Sequence, residues 1–183
     1  MTLLDLDARW RRFNDPDYAC PCCGRSFGGV FDIGFEEPDV WPHGPRDGDV
    51  RQQGQDKLSS ELCRFDDQRF LRCVVALPLR GTENTFFFGP WAEIAPHDFY
   101  AYLDGVTEDG DDITSLPATL GNLLPGYEPA LAGALLPGSG LERPRFVAAS
   151  GPLAEAQRDG ISFDDLLDIY AACGQDIRPH LKG

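Results

Sequence analysis

The chain has 183 residues, 42% of them hydrophobic, and a formal net charge of −14 from 30 acidic and 16 basic side chains. That length suits one domain spanning 1–183, able to bury a core without disulfides or metal. The acid excess excludes nucleic-acid and anionic-membrane binding through phosphate neutralisation, and no apolar run approaches the ~20 residues of a bilayer span.

Leu3, Leu6, Trp10 and Phe13 recur at spacings of three and four, predicting an amphipathic helix over 1–14 that Asn14-Asp15-Pro16 stops. Asp5, Asp7, Arg9, Arg11 and Arg12 inside this segment are wrong for a secretory leader. The expected compartment is therefore the cytoplasm, and the expected state of the six cysteines is reduced or metal-bound. Phe31, Ile33 and Phe35 alternate with Asp32 and Gly34, as in a half-buried strand over 30–35. Residues 38–56, rich in Pro, Gly and Asp, read as a long surface loop.

The clearest element is a β-hairpin of 70–79 and 85–94, joined by the hairpin-length loop Arg80-Gly81-Thr82-Glu83-Asn84. Pro78 and Pro90 cannot donate to a ladder, so each marks a strand end, an edge or a bulge. Phe99, Tyr102 and Leu103 share a helical face over 98–103, and 116–124 reads as a further strand. The stretch 124–140 holds three Pro and four Gly and reads as an irregular excursion, with a short strand at 145–149 beyond it.

Ser162 is placed as the N-cap of the last helix, with acidic residues in its first turn. Phe163, Leu166, Leu167 and Tyr170 make its buried stripe, and Gly174 its stop. Strands grouped between terminal helices predict an α+β fold: a central antiparallel sheet with a hairpin, flanked by N- and C-terminal helices. Trp10, Phe70, Trp91, Phe99 and Tyr170 are expected to share one core.

The strongest chemical signal is Cys20-Pro21-Cys22-Cys23-Gly24. Cys20 and Cys23 have the spacing of a zinc knuckle, and Gly24 lets the backbone turn sharply beneath a metal. Zinc is the candidate cofactor, but a tetrahedral ion needs further ligands and the chain has no second pair at this spacing. Cys63, Cys73 and the three histidines His43, His97 and His180 are what remains to complete a shell. A redox role for the same cysteines is weaker, because the segment leads toward a strand and no helix N-terminus activates a thiol. Gly28-Gly29 lacks the flanking elements of a phosphate loop, and residues 108–112 lack the spaced ligands of a calcium loop.

The ordered motifs support a resemblance. They are Cys20-x-x-Cys23-Gly24, Asp32-Ile33-Gly34-Phe35, Leu58 with Cys63, Phe70-Leu71-Arg72 and Gly89-x-Trp91. Leu124-Pro125-Gly126-Tyr127, Pro152-Leu153-Ala154 and Gln157-Arg158-x-Gly160-Ile161 continue the series. The set resembles the bacterial family known as domain of unknown function 2199 over most of the chain, leaving the opening helix and 130–140 outside it. The resemblance implies a compact bacterial domain and supplies no activity. The resemblance implies a histidine, often present shortly after the Cys-Gly pair, where this chain has Arg25-Ser26-Phe27-Gly28, a departure that removes one candidate third ligand and weakens the case for zinc. Cys63 does match, which makes Cys20, Cys23 and Cys63 the metal-ligand set that the resemblance implies, with a histidine as the other way to complete it.

Two function classes follow. Between 81 and 142 there are ten carboxylates and no Lys or Arg, which favours a non-catalytic binding or accessory module, of immunity type for example, engaging a basic protein. Glu108, Asp109, Asp111 and Asp112 are its candidate contact residues. The alternative is a small enzyme with a site assembled from distant residues such as Arg72, His43, Trp91 and Tyr127, or a zinc-stabilised domain of another role.

Overall fold

The computed structural model describes residues 1–107 and 115–182. Helix α1 (Ala8–Asn14) precedes β1 (Ile33–Gly34). Short strands follow: β2 (Arg51–Gln53), β3 (Asp56–Leu58), β4 (Leu62–Phe65), β5 (Gln68–Arg72) and β6 (Val75–Pro78). Strands β7 (Thr85–Gly89) and β8 (Trp91–Ile94) lead into α2 (Pro96–Thr107). Strands β9 (Leu116–Leu120), β10 (Ala132–Leu136) and β11 (Arg145–Ala148) lead into α3 (Gly151–Asp159) and α4 (Phe163–Ala172).

An eight-stranded sheet in the order β11-β10-β9-β8-β5-β4-β3-β2 forms the frame, and every pairing in it is antiparallel. A three-stranded sheet, β1-β7-β6, stands beside it, with β1 parallel to β7. The fold is α+β, as the order of elements predicts.

The predicted hairpin forms and divides between the two sheets. Its tip pairs β6 with β7, Val75 opposite Phe88, while its base pairs β5 with β8, Arg72 opposite Trp91. The break falls at Pro90, which has no N–H to offer; the Cys73 N–H donates to its carbonyl at 2.9 Å.

This division also splits the core. Trp10, Phe99 and Tyr170 lie in the main cluster with Phe13, Phe86 and Phe88. Phe70 and Trp91 instead pack with Trp41, Leu58 and Cys63 in a second cluster. The expectation of a single aromatic core is corrected by alternation: neighbours on one strand, such as Phe70 and Leu71, point to opposite faces of the sheet.

Three local expectations change. The N-terminal helix is interrupted, because Asp7 accepts the Arg9 N–H as an N-cap and starts α1 anew; Leu3 and Leu6, in the preceding 3-10 turn, stay exposed. The end of the predicted surface loop folds as the β2–β3 hairpin, turning at Gly54 with φ +63°. The supposed excursion over 124–140 contains β10, a strand between β9 and β11. Gly133 there is required by contact, since an added Cβ would run into the Val147 carbonyl and the Phe146 ring.

Helix α4 follows its predicted cap closely. Ser162 and Asp165 form a reciprocal capping box, and Gly174 sits beyond the helix end at φ +77°. Helix α3 has no forecast in the periodicity of its sequence; Leu153 alone on it is buried. Among the described residues, no helix is long and apolar enough to cross a membrane.

Candidate metal centre

After α1, the bridge of Ala19 with Ser26 closes a tight loop around the cysteines. The Cys20 N–H donates to the Arg25 carbonyl and the Gly24 N–H to the Cys20 carbonyl, both at 2.8 Å. Gly24 takes φ +73°, a conformation that side chains resist, so the turn needs this glycine. The loop presents the Cys20 and Cys23 side chains on one side, Cys20 buried and Cys23 exposed.

The third member arrives from the far end of the chain. After Gly174, buried Ile177 and Leu181 anchor a 3-10 turn, Arg178–Leu181. The Arg12 guanidinium donates to the Leu181 carbonyl at 2.7 Å, and the Tyr18 hydroxyl to the His180 carbonyl at 2.9 Å. These bonds hold His180 over the loop, its ring 6.3 Å from that of Phe27.

The Cys20 and Cys23 sulfurs and one His180 ring nitrogen lie within 4.8 Å of one another, close enough to hold a metal ion. The Cys23 sulfur is 3.4 Å from His180 Nδ1. Around a tetrahedral zinc, bond lengths near 2.3 Å to sulfur and 2.0 Å to nitrogen put such ligand atoms about 3.5–3.8 Å apart. The His180 hydrogen bond, followed by backbone N–H groups of Cys22 and Cys23, lowers the Cys20 thiol to about 6. No helix N-terminus is involved: the knuckle's own amides and His180 supply the stabilisation that a helix dipole gives elsewhere.

Cys63, expected as a third ligand, stands apart. It faces the second cluster from β4, and burial pushes its thiol up to about 12, the neutral state of a core residue. Cys73 is also buried, and burial raises its thiol further. Among the described residues, the third group near Cys20 and Cys23 is His180 and not Cys63. It is separated from Cys23 by 157 positions, and its only mark in the sequence is being one of three histidines.

The other candidates do not converge on one site. Arg72 and Trp91 meet, the guanidinium carbon lying 5.8 Å from the ring centre. His43 is held by Asp56 at 2.7 Å and packs edge-on against Trp41, while Tyr127 lines a separate cavity of about 610 Å³ beside α3 and α4. His97 and Asp98 are 3.1 Å apart at the start of α2, a local pair of chain neighbours. Glu108, Asp109, Asp111 and Asp112 lie outside the described residues.

No curated protein and no solved structure matches the chain. A family model matches residues 19–161, which takes in Cys20 and Cys23 and ends before His180. The chain belongs to that family, DUF2199, described as an uncharacterized protein conserved in bacteria.

Proposed function

We propose that this chain is a zinc-binding protein in which Cys20, Cys23 and His180 hold the ion and fasten the C-terminal turn to the N-terminal knuckle. The observation that carries this reading is the convergence of two thiols and an imidazole nitrogen within 4.8 Å. Soft thiolate with imidazole suits zinc among common biological metals. Three protein ligands leave the fourth position to water or an exogenous group, as in zinc sites that exchange ligands. Because the fold has its own hydrophobic core, the ion adds stability by binding the native state and does not create the fold.

Protein purified without chelator is expected to contain about one zinc per chain by elemental analysis. Cys23→Ser and His180→Ala should each lower that content while the far-ultraviolet circular dichroism is kept. Zinc-free protein whose melting temperature ignores both added zinc and chelator refutes the reading.

The charge pattern favours a second role alongside the first: capture of a basic protein. Its support is the run of ten carboxylates without a Lys or Arg between 81 and 142. An association rate that falls as salt rises, and that falls again when Glu108, Asp109, Asp111 and Asp112 become Asn or Gln, is the expected behaviour with a cationic partner. A rate indifferent to both removes the electrostatic account.

A further inference from the structure

Lys57, Arg64 and Arg69 stand in a row across three adjacent strands. Lys57 on β3 is opposite Arg64 on β4, and Arg64 is opposite Arg69 on β5, so all three side chains leave one face of the sheet. Like charges directly opposite one another are destabilising. Among the described residues, no carboxylate pairs with any of the three. Their hydrogen bonds go to uncharged acceptors. Arg64 Nε donates to the Gln55 carbonyl and Arg69 Nη1 to the Asp66 and Gln68 carbonyls, each at 2.8 Å. Arg69 Nε reaches the Tyr100 hydroxyl at 3.4 Å. That bond, followed by Arg64, holds the Tyr100 hydroxyl below its ordinary range, as a locally positive field does. In a chain of net charge −14, this patch has the opposite sign to the whole.

Helix α2 packs on the same face and leaves a groove beside the row. Lys57 and Arg64 line a cavity there of about 320 Å³, whose apolar walls include Val50, Phe99, Tyr100 and Leu103. Among the described residues, no carboxylate lines it; Asp104, one turn beyond Tyr100, is outside the lining. Val50 and Tyr100 remain 42% and 44% exposed, apolar surface left open next to unneutralised charge. At about 30 Å³ per water the cavity has the space of roughly ten waters. A one-ring ester such as phenyl phosphate has about eleven non-hydrogen atoms, each needing less room than a water, and fits within it.

We propose that this cavity binds a phosphate monoester with a small apolar body, its phosphate received by Lys57 and Arg64 and its body against Val50, Phe99, Tyr100 and Leu103. A phosphate monoester carries a charge of about −1.5 to −2 near pH 7, which offsets both lining cations where a carboxylate offsets one. Arg64 spends Nε on the Gln55 carbonyl, which leaves its Nη pair to phosphate oxygens, and Lys57 adds a compact point charge. The apolar walls prefer an ester to the bare ion. None of these residues belongs to the metal centre.

The test is calorimetric titration of the full chain with sodium phenyl phosphate, against sodium benzoate and inorganic phosphate at matched ionic strength. Saturable binding of phenyl phosphate is expected, at least about tenfold tighter than either control. Lys57→Glu sets opposite charges in register with Arg64, so the melting temperature should hold or rise. The same variant should weaken phenyl phosphate at least about tenfold. Arg11→Glu makes an equal change of net charge on α1, outside the cavity, and should leave affinity unchanged. Absence of saturable binding to the native chain overturns the proposal. So does an affinity that Lys57→Glu leaves unmoved, which would put the ligand elsewhere, at the metal centre for example. An equal loss in Arg11→Glu reduces the effect to net charge and overturns the site. Benzoate bound as tightly as phenyl phosphate overturns the phosphate class, and inorganic phosphate bound as tightly overturns the role of the apolar walls.

Discussion

Replacing Trp91 with Ala is expected to cost about 3–5 kcal/mol of stability, a fall of roughly 6–20 °C in melting temperature for a chain of this size. Trp91 is fully buried where the two sheets part, and its loss opens a cavity between Trp41, Leu58, Cys63 and Phe70. The indole also donates to the Phe35 carbonyl at 3.0 Å, so truncation leaves that acceptor unpaired in addition to removing apolar area. Its backbone N–H is held by buried Asn122, a bond that the substitution leaves in place. Trp91→Phe keeps most of the ring volume and should cost less than half as much. Chemical denaturation of the two variants checks the order; a Trp91→Ala protein as stable as the parent would move Trp91 out of the core and into a ligand platform over Arg72.

Where the chain's own periodicity sets structure, the sequence is readable. The stripe of Phe163, Leu166, Leu167 and Tyr170 and the Ser162 cap belong to one helix and need no distant partner. The hairpin of β6 and β7 is similarly local, closed by the Leu79 N–H on the Asn84 carbonyl. Strand β10 is different. Its residues Ala132 to Leu136 are small and apolar, flanked by Pro and Gly, and carry little intrinsic strand preference. They are extended because β9 and β11 pair with both edges, and tertiary pairing overrides local preference. The split of the aromatic core is likewise invisible in sequence, since it depends on which face of each strand meets which sheet.

The metal centre divides in the same manner. Cys20, Cys23 and Gly24 are readable because a knuckle is a local turn whose spacing carries its geometry. The resemblance points to Cys63 as a ligand, but β4 turns it toward Trp91 and Phe70. His180 is brought in by contacts made 162 and 169 positions away, from Tyr18 to its own carbonyl and from Arg12 to that of Leu181. No spacing rule reaches across such a distance.

In the metal-free chain, the Cys20 thiol is expected to ionise near pH 6, whereas Cys63 should stay protonated until about pH 12. The His180 hydrogen bond is the largest cause of the low value, so His180→Ala should move the Cys20 titration upward toward the ordinary thiol range. The sign of the effect on stability follows from proton counting. An unfolded cysteine ionises near pH 8.5, so between about pH 6 and 8.5 the unfolded chain holds the extra proton and stability rises with pH. This contribution is fully present above that interval and is lost as pH falls through about 6. Zinc works in the same direction, because protons compete with the ion for the Cys20 sulfur. Metal release should therefore steepen on acidification through the same region. Ultraviolet thiolate absorbance of the metal-free protein, followed against pH with Cys20→Ser as the blank, measures the ionisation directly. A Cys20 titration near 8.5 that His180→Ala leaves unmoved would mean that the imidazole does not face the sulfur, and the three-ligand centre would fall with it.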